Sequence, residues 1–206
     1  MIRGIARVLI EWSVLLLARM TGRARQVHGV EIMFLTEAEE DHDAILSLEA
    51  ALDLVHRQHP LSLRRIRDFL GRVVVLEAGL PEYRSGMGGA TLPLSLTKTL
   101  TPEELALVLV HEATHGRLYA WGIREGSENR ERIEEICVGR ELALLAHLPA
   151  ASPQLADFTR HKLEFRWWES PQHKERVTRE LRKLRKAPDR HDEGCREPTA
   201  GGDGEP

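Results

Sequence analysis

The feature that most constrains this chain is the pentapeptide His-Glu-Ala-Thr-His at residues 111–115, an HExxH motif within a long apolar stretch. His111 and His115 are four residues apart, so on an α-helix both imidazoles lie on one face and can reach a single cation. Glu112 lies about 100° round the same helix, where its carboxylate can hydrogen-bond a water on that cation without occupying a coordination position. The motif therefore predicts a metal site, provided that a helix carries it.

The residues before the motif predict that helix. Thr101 is a candidate N-cap, Pro102 stands at the first helical position, and Glu104 completes a capping box. The apolar residues 105–110 then indicate a buried central helix, and Gly122 marks its expected C-terminal end. Polar residues carried by such a helix are predicted to serve the site.

Composition fits one domain of ordinary size and excludes several other classes of protein. The chain has 206 residues and a net charge of -3, so nucleic acid is not an expected partner. Its two cysteines, Cys137 and Cys195, lie far apart. Neither a disulfide framework nor a cysteine-rich zinc finger is predicted, and a reducing, cytoplasmic compartment is favoured.

The two ends of the chain are predicted to differ in order. Residues 1–20 contain an uncharged run of only seven residues, which is too short for a membrane span and unlike a signal peptide. The periodicity of their apolar residues predicts an amphipathic helix that covers the core, with membrane-surface or partner contact as the alternative. Residues 172–186 are predicted to form a basic helix with a solvated face, contact with an anionic partner being the alternative. Residues 187–206 are expected to be a disordered tail, which leaves residues 1–186 as a single domain.

Helix and strand signals on both sides of the motif predict an α+β fold, rich in helix, with a small antiparallel sheet. Residues 72–78 favour a strand, and residues 90–96 are expected to pair back on it. Because Pro93 cannot donate a ladder hydrogen bond, the second strand is expected at an edge, where a substrate peptide can add or where the sheet simply ends. Further predicted segments are an extended one at 30–35 and helices at 36–56, 61–70, from about 131, and at 154–168.

A third metal ligand is expected on the helix that follows the motif, because catalytic zinc takes three protein ligands and a water. Glu134 and Glu135 lie 19 and 20 residues beyond the second histidine, far enough for a second helix to pack beside the first. Glu134 is preferred because Cys137, three residues on, is small and allows close approach, whereas Glu135 lies about 100° away. Glu131 and Glu141 remain possible but lie a turn or two from this position.

The HExxH helix, the strands before it and the Glu134-x-x-Cys137 helix after it resemble the zincin metallopeptidases, specifically their gluzincin branch, over roughly residues 61–148. The resemblance implies a zincin-like fold, zinc as the cofactor, and His111, His115 and a glutamate as ligands. The sequence departs from the gluzincin pattern at Cys137 or Val138, where the family more often has alanine or another small residue, or a downstream aspartate. The choice between the two neighbouring glutamates therefore stays open.

The resemblance also implies an activity, hydrolysis of peptide bonds in a peptide or protein substrate, with zinc activating a water and Glu112 acting as general base. Tyr119, one turn beyond His115, is a candidate donor to the oxyanion, with packing in an apolar setting as the alternative. Two readings from other classes remain. One is a catalytically inactive zincin-like metal-binding scaffold that acts as a protein-interaction module, and the other is a helical interaction protein in which the HExxH arose by chance.

Overall fold

The computed structural model describes residues 24–36, 41–126, 128–148 and 152–164, together with Ser13, Leu16 and Met20. Within these residues the chain has an α+β fold, as predicted, in which helices pack on one mixed sheet. The predicted basic helix and tail lie outside the described residues, as does nearly all of the predicted N-terminal helix. None of the described helices is both long and apolar enough to cross a bilayer.

The sheet contains five strands in the spatial order β1-β2-β3-β5-β4. The strands are β1 Ala24–Val27, β2 Val30–Leu35, β3 Arg72–Leu76, β4 Glu82–Arg84 and β5 Gly89–Pro93. β1 and β2 form an antiparallel hairpin, β2, β3 and β5 run parallel, and β4 is antiparallel to β5. The extended segment predicted at 30–35 is therefore an inner strand of the sheet.

The prediction of an antiparallel sheet was wrong at its centre. β3 and β5 pair in parallel, with Val73 opposite Ala90 and Val75 opposite Leu92. The cause is the short strand β4, which lies in the glycine-rich loop between them and pairs with β5 from the outer side. The second strand is consequently not an edge, and all of its residues are buried. Pro93 is tolerated because it is the last residue of β5 and the N-cap of the next helix.

The helices are α1 Asp41–Gln58, α2 Pro60–Arg65, α3 Leu94–Thr99, α4 Pro102–Ala120, α5 Arg130–Leu145 and α6 Pro153–Glu164, and a π-helical turn Ile66–Leu70 continues α2. Helices α1, α2, α4, α5 and α6 follow the predicted order, whereas α3 was not predicted. The strand predicted over residues 90–96 ends at Pro93, after which the chain turns into α3. The described part of the helix predicted from residue 36 runs from Asp41 to Gln58, and residues 37–40 lie outside the described residues.

The HExxH helix α4 lies at the centre of the fold, between α1, α5 and the π-helical turn. Its capping box forms as predicted: Glu104 N donates to Thr101 Oγ1 at 3.3 Å, and Thr101 N donates to Glu104 Oε2 at 2.7 Å. Leu105 and Leu109 are fully buried in the main hydrophobic core, which fills the space between the helices and one face of the sheet. α4 is thus fixed along its length, and the side chains that it presents to α5 are held in place.

Candidate metal centre

The two histidines of the motif converge as their helical spacing requires. His111 Nε2 and His115 Nε2 are 3.1 Å apart, and His111 is only 4% exposed. Two donors that each lie about 2.0–2.2 Å from a tetrahedral metal are separated by about 3.3–3.6 Å. The pair is therefore close to the spacing that a tetrahedral cation requires, without any rearrangement of α4.

Glu134 of α5 completes a three-residue cluster with the histidines. Its Oε2 is 3.4 Å from His111 Nε2 and its Oε1 is 3.8 Å from His115 Nε2. Oε2 is buried, and its contact with His111 Nε2 lacks hydrogen-bond geometry. A buried carboxylate needs a positive partner to offset its desolvation, and either the imidazolium of His111 or a cation between the three side chains can supply it.

Glu135, the other candidate ligand, is directed away from the cluster. Its side chain is exposed and accepts a hydrogen bond from Arg132 at 2.8 Å. The difference follows from helix geometry, because consecutive residues lie about 100° apart. The structure therefore brings Glu134, and not Glu135, to the imidazoles.

Cys137 is a further donor at this site that was predicted only as a small packing residue. One suitable atom from each of His111, His115 and Cys137 lies within 4.8 Å of the others, and the thiol is buried and not in a disulfide. Burial, and then the charge of Glu134, raise the pKa of the Cys137 thiol above its usual range. The sequence signal was present, since Glu134 and Cys137 are spaced i and i+3 and so share a helix face.

Glu141, two turns beyond Glu134 on α5, fixes the orientation of His111. His111 Nδ1 donates to Glu141 Oε1 at 2.6 Å, so that when Nε2 loses its proton the lone pair of Nε2 is directed at the cluster. Hydrogen bonds of this kind orient metal-binding histidines and raise their basicity. Glu141 in turn forms an ion pair with Lys162 of α6. Sequence reasoning weighed Glu141 only as a ligand and did not find this positioning role.

The electrostatics of the cluster favour a cation. Glu112, Glu134 and Glu141 are each at most 3% exposed, and Lys162 forms an ion pair with Glu141. Burial lowers the pKa of His111, but the neighbouring carboxylates of Glu134 and Glu141 outweigh it and raise the pKa above its ordinary value. Buried negative charge of this density needs neutralisation by protons or by a metal ion.

The cluster opens into a cleft of about 350 Å³ between α4, α5 and the edge strand β4. Both histidines, Glu112 and Glu134 line its floor, and Glu82 and Tyr83 of β4 form part of its wall. Glu112 therefore lies at the surface of this cleft, beside both histidines and Glu134. A cleft of this size is in the usual range for ligand sites.

Tyr119 lies in the same cleft, as its position one turn beyond His115 predicts. A hydrogen bond with Ser85 and the positive charge of Arg124 lower the pKa of the Tyr119 hydroxyl. The guanidinium of Arg124 lies over the ring, 4.8 Å from its centroid. Tyr119 therefore lines the cleft with a hydroxyl whose pKa is lowered by its surroundings.

The comparisons with known proteins add no family to this geometry. No protein-family model, no curated protein and no solved structure matches the chain. The resemblance to gluzincins therefore depends on the residues of the HExxH helix and on the donors that α5 brings to it.

The close packing round the cluster depends on Gly116, the residue after His115. A Cβ atom at this position would lie 2.3 Å from the carbonyl oxygen of Phe69 and 2.8 Å from Cε2 of Tyr83. The absence of a side chain lets the π-helical turn and the edge strand approach α4 directly. Gly116 thus sets the distance between the wall of the cleft and the cluster formed by His111, His115 and Glu134.

Proposed function

We propose that this protein is a zinc-dependent metallopeptidase with a zincin-like fold, in which His111, His115 and Glu134 hold the metal. The observation that carries the proposal is the approach of the two HExxH imidazoles, whose Nε2 atoms are 3.1 Å apart, and the buried carboxylate of Glu134, whose Oε2 lies 3.4 Å from His111 Nε2 and whose Oε1 lies 3.8 Å from His115 Nε2. Nitrogen and oxygen donors near tetrahedral spacing suit zinc. The open cleft above them supplies room for a substrate.

Each residue round the cluster has a role in this proposal. When bound, zinc supplies a water of lowered pKa and polarises the substrate carbonyl. Glu112 takes the proton of that water and returns it to the leaving amine. Tyr119 donates a hydrogen bond to the oxygen that becomes negative, and Glu141 keeps the imidazole of His111 in the orientation that binds metal.

The edge strand β4 is the proposed binding surface for the peptide. It lies at the end of the sheet and borders the cleft through Glu82 and Tyr83. An extended peptide can add to such an edge by main-chain hydrogen bonds. Main-chain recognition places the carbonyl groups of a substrate along the cleft with little demand on side-chain identity. The substrate class is accordingly an extended peptide or an unfolded protein segment.

Metal content and peptidase activity, measured on the same samples, test the proposal. We expect stoichiometric zinc by elemental analysis and cleavage of a mixed peptide library. Glu112→Gln should keep the zinc and lose about 10²–10⁴-fold in activity, the usual contribution of a general base. Full activity in Glu112→Gln, or a purified protein that neither contains nor takes up zinc, would be incompatible with the proposal.

A matched pair of variants tests the third ligand. Glu134→Gln removes the carboxylate beside the imidazoles and should lose zinc, whereas Glu135→Gln changes an exposed neighbour and should retain it. Equal zinc affinity in the two variants would show that Glu134 is not a ligand.

A second candidate, a metal-binding scaffold without activity, is favoured by Cys137. Should Glu134 and Cys137 both bind with the two histidines, four protein donors would close the site, as in structural zinc centres. Cobalt substitution distinguishes the two cases, because a thiolate ligand produces an intense sulfur-to-cobalt charge-transfer band. The peptidase proposal expects no such band and normal zinc affinity in Cys137→Ser; a strong band that this substitution removes would support the closed scaffold.

A further inference from the structure

A second cleft, on a neighbouring face of α4, is lined by three arginines from three different helices. Arg65 comes from α2, Arg117 from α4 and Arg140 from α5, and the hydroxyl-bearing side chains of Ser62 and Thr114 lie between them. The cleft is small, about 10 Å³, which is about the space that one water-sized group fills. Three arginine side chains thus line a space for a single water-sized group.

No carboxylate among the described residues forms an ion pair with any of these arginines, whereas Arg64, the neighbour of Arg65, pairs with Asp68. The guanidinium of Arg117 lies 4.1 Å from the ring centroid of Trp121 and faces no acid. Partial burial, and then the charges of Arg140 and Arg117, lower the pKa of Arg65. The convergence of three like charges is therefore unfavourable in the protein alone.

We propose that the cleft between Arg65, Arg117 and Arg140 is a binding site for a phosphate-class oxyanion. Arginine is the residue best suited to this chemistry, because its planar set of donors matches the oxygens of a phosphate. Donors that arrive from three helices suit a tetrahedral dianion better than a planar carboxylate, which one or two guanidinium groups satisfy. The room for one small group allows a single phosphate oxygen to enter while the others face the arginines.

Ser62 adds a neutral group to this site. It is 3% exposed, and its Oγ is 2.7 Å from His59 Nδ1. When His59 Nδ1 carries the proton of that bond, the Ser62 hydroxyl is released to donate towards the cleft. Thr114 has a different role, because its hydroxyl already donates to the carbonyl oxygen of Val110 at 2.7 Å.

The site is separate from the metal cluster but shares its helices. Arg117 follows His115 on α4 by two residues, and Arg140 precedes Glu141 on α5 by one. An anion that bridges these arginines therefore ties α2, α4 and α5 together without contacting the metal ligands. Binding should raise the thermal stability of the whole fold, because a ligand that binds only the folded state stabilises it.

Thermal unfolding of the full chain with inorganic phosphate tests the site. The titration is carried out with EDTA present, against sodium chloride and sodium acetate at matched ionic strength and pH. We expect a saturable rise of the melting temperature with phosphate, and a smaller rise or none with acetate. An absent phosphate effect, or one that acetate or chloride reproduces in full, overturns the proposal.

Three arginine variants make the test specific. Arg65→Gln and Arg140→Gln should each weaken phosphate binding about tenfold or more, whereas Arg64→Gln, on the same helix and with a 72% exposed side chain, should bind phosphate normally. Without phosphate, the first two variants should be at least as stable as the parent, since each removes like-charge repulsion. A phosphate effect that survives in both, or a lower melting temperature in phosphate-free buffer for both, contradicts the assignment.

Discussion

The substitution Gly116→Ala probes the packing that positions the metal cluster. Its new methyl group would lie 2.3 Å from the carbonyl oxygen of Phe69, about 1.1 Å short of the 3.4 Å at which ordinary contact begins. The second neighbour, Cε2 of Tyr83 at 2.8 Å, belongs to a ring packed at the wall of the cleft. The nearest obstacle is main chain and cannot rotate away, so α4 or the π-helical turn must move.

Two opposing effects determine the size of the change in stability. Replacing glycine by alanine inside a helix ordinarily stabilises it by about 1 kcal/mol. Forcing a methyl group into a close-packed interface costs about 1–3 kcal/mol, and a clash with main chain lies at the upper end of that range. We therefore expect Gly116→Ala to lower the free energy of unfolding by about 1–2 kcal/mol, opposite in sign to an ordinary helical replacement.

Gly139→Ala is the matched control, because Gly139 lies within α5 and a Cβ there would meet nothing within 4 Å. It should raise the free energy of unfolding by about 0.5–1 kcal/mol. Urea unfolding of both variants in the presence of EDTA, followed by circular dichroism, gives the two values without a contribution from metal. If Gly116→Ala stabilises the protein as Gly139→Ala does, the close approach of Phe69 to α4 is wrong.

Three further outcomes follow from individual contacts. Glu141→Gln weakens the hydrogen bond that orients His111 and should reduce zinc affinity about 10–100-fold, which competition with a chelator measures; unchanged affinity would argue against the positioning role. Thr101→Ala removes the capping box of α4 and should cost about 0.5–2 kcal/mol in urea unfolding, and a loss no greater than that of an exposed threonine would contradict it. Burial, and then the charges of His147 and Arg65, lower the pKa of His59. The contribution of His59 to stability is therefore present above the pKa of the unfolded state, near 6.5, and is lost as the pH falls below that value. His59→Asn should flatten the fall in stability between about pH 7 and 5, and an unchanged pH profile would refute this.

The helices could be predicted from the sequence because their signals are local. The Thr101–Glu104 capping box and Gly122 bracket α4 within two residues, and the structure forms the same bonds that the motif implies. The order of the strands could not be predicted in the same way. β4 has only three residues, too few for an alternating pattern, yet its pairing with β5 decides that β3 and β5 run parallel. Because of this short strand, the edge of the sheet is β4, which contains Glu82, and not the strand that contains Pro93, as predicted.

The candidate site was partly predictable for a similar reason. The four-residue spacing on α4 brings His111 and His115 together, and the angle of about 100° between consecutive residues on α5 separates Glu134 from Glu135. The other two participants depend on how α5 packs against α4. Cys137 and Glu141 follow Glu134 at three and seven residues and share its buried face, so the periodicity placed them on one stripe but could not show that the stripe faces the imidazoles.

The ion pair between Glu141 and Lys162 extends the metal site beyond its motif. Glu141 is fully buried, and a carboxylate in such a position stays charged only with a positive partner and hydrogen bonds. Lys162 supplies that partner from α6, whose residues lie beyond the region, up to about residue 148, that resembles the gluzincins. The protonation and orientation of His111 therefore depend on the docking of α6 as well as on the pentapeptide. A chain that ended before α6 would retain every proposed ligand but would lose the positive charge of Lys162 that holds Glu141 in place. Because Glu141 orients His111, the position of His111 would be affected as well.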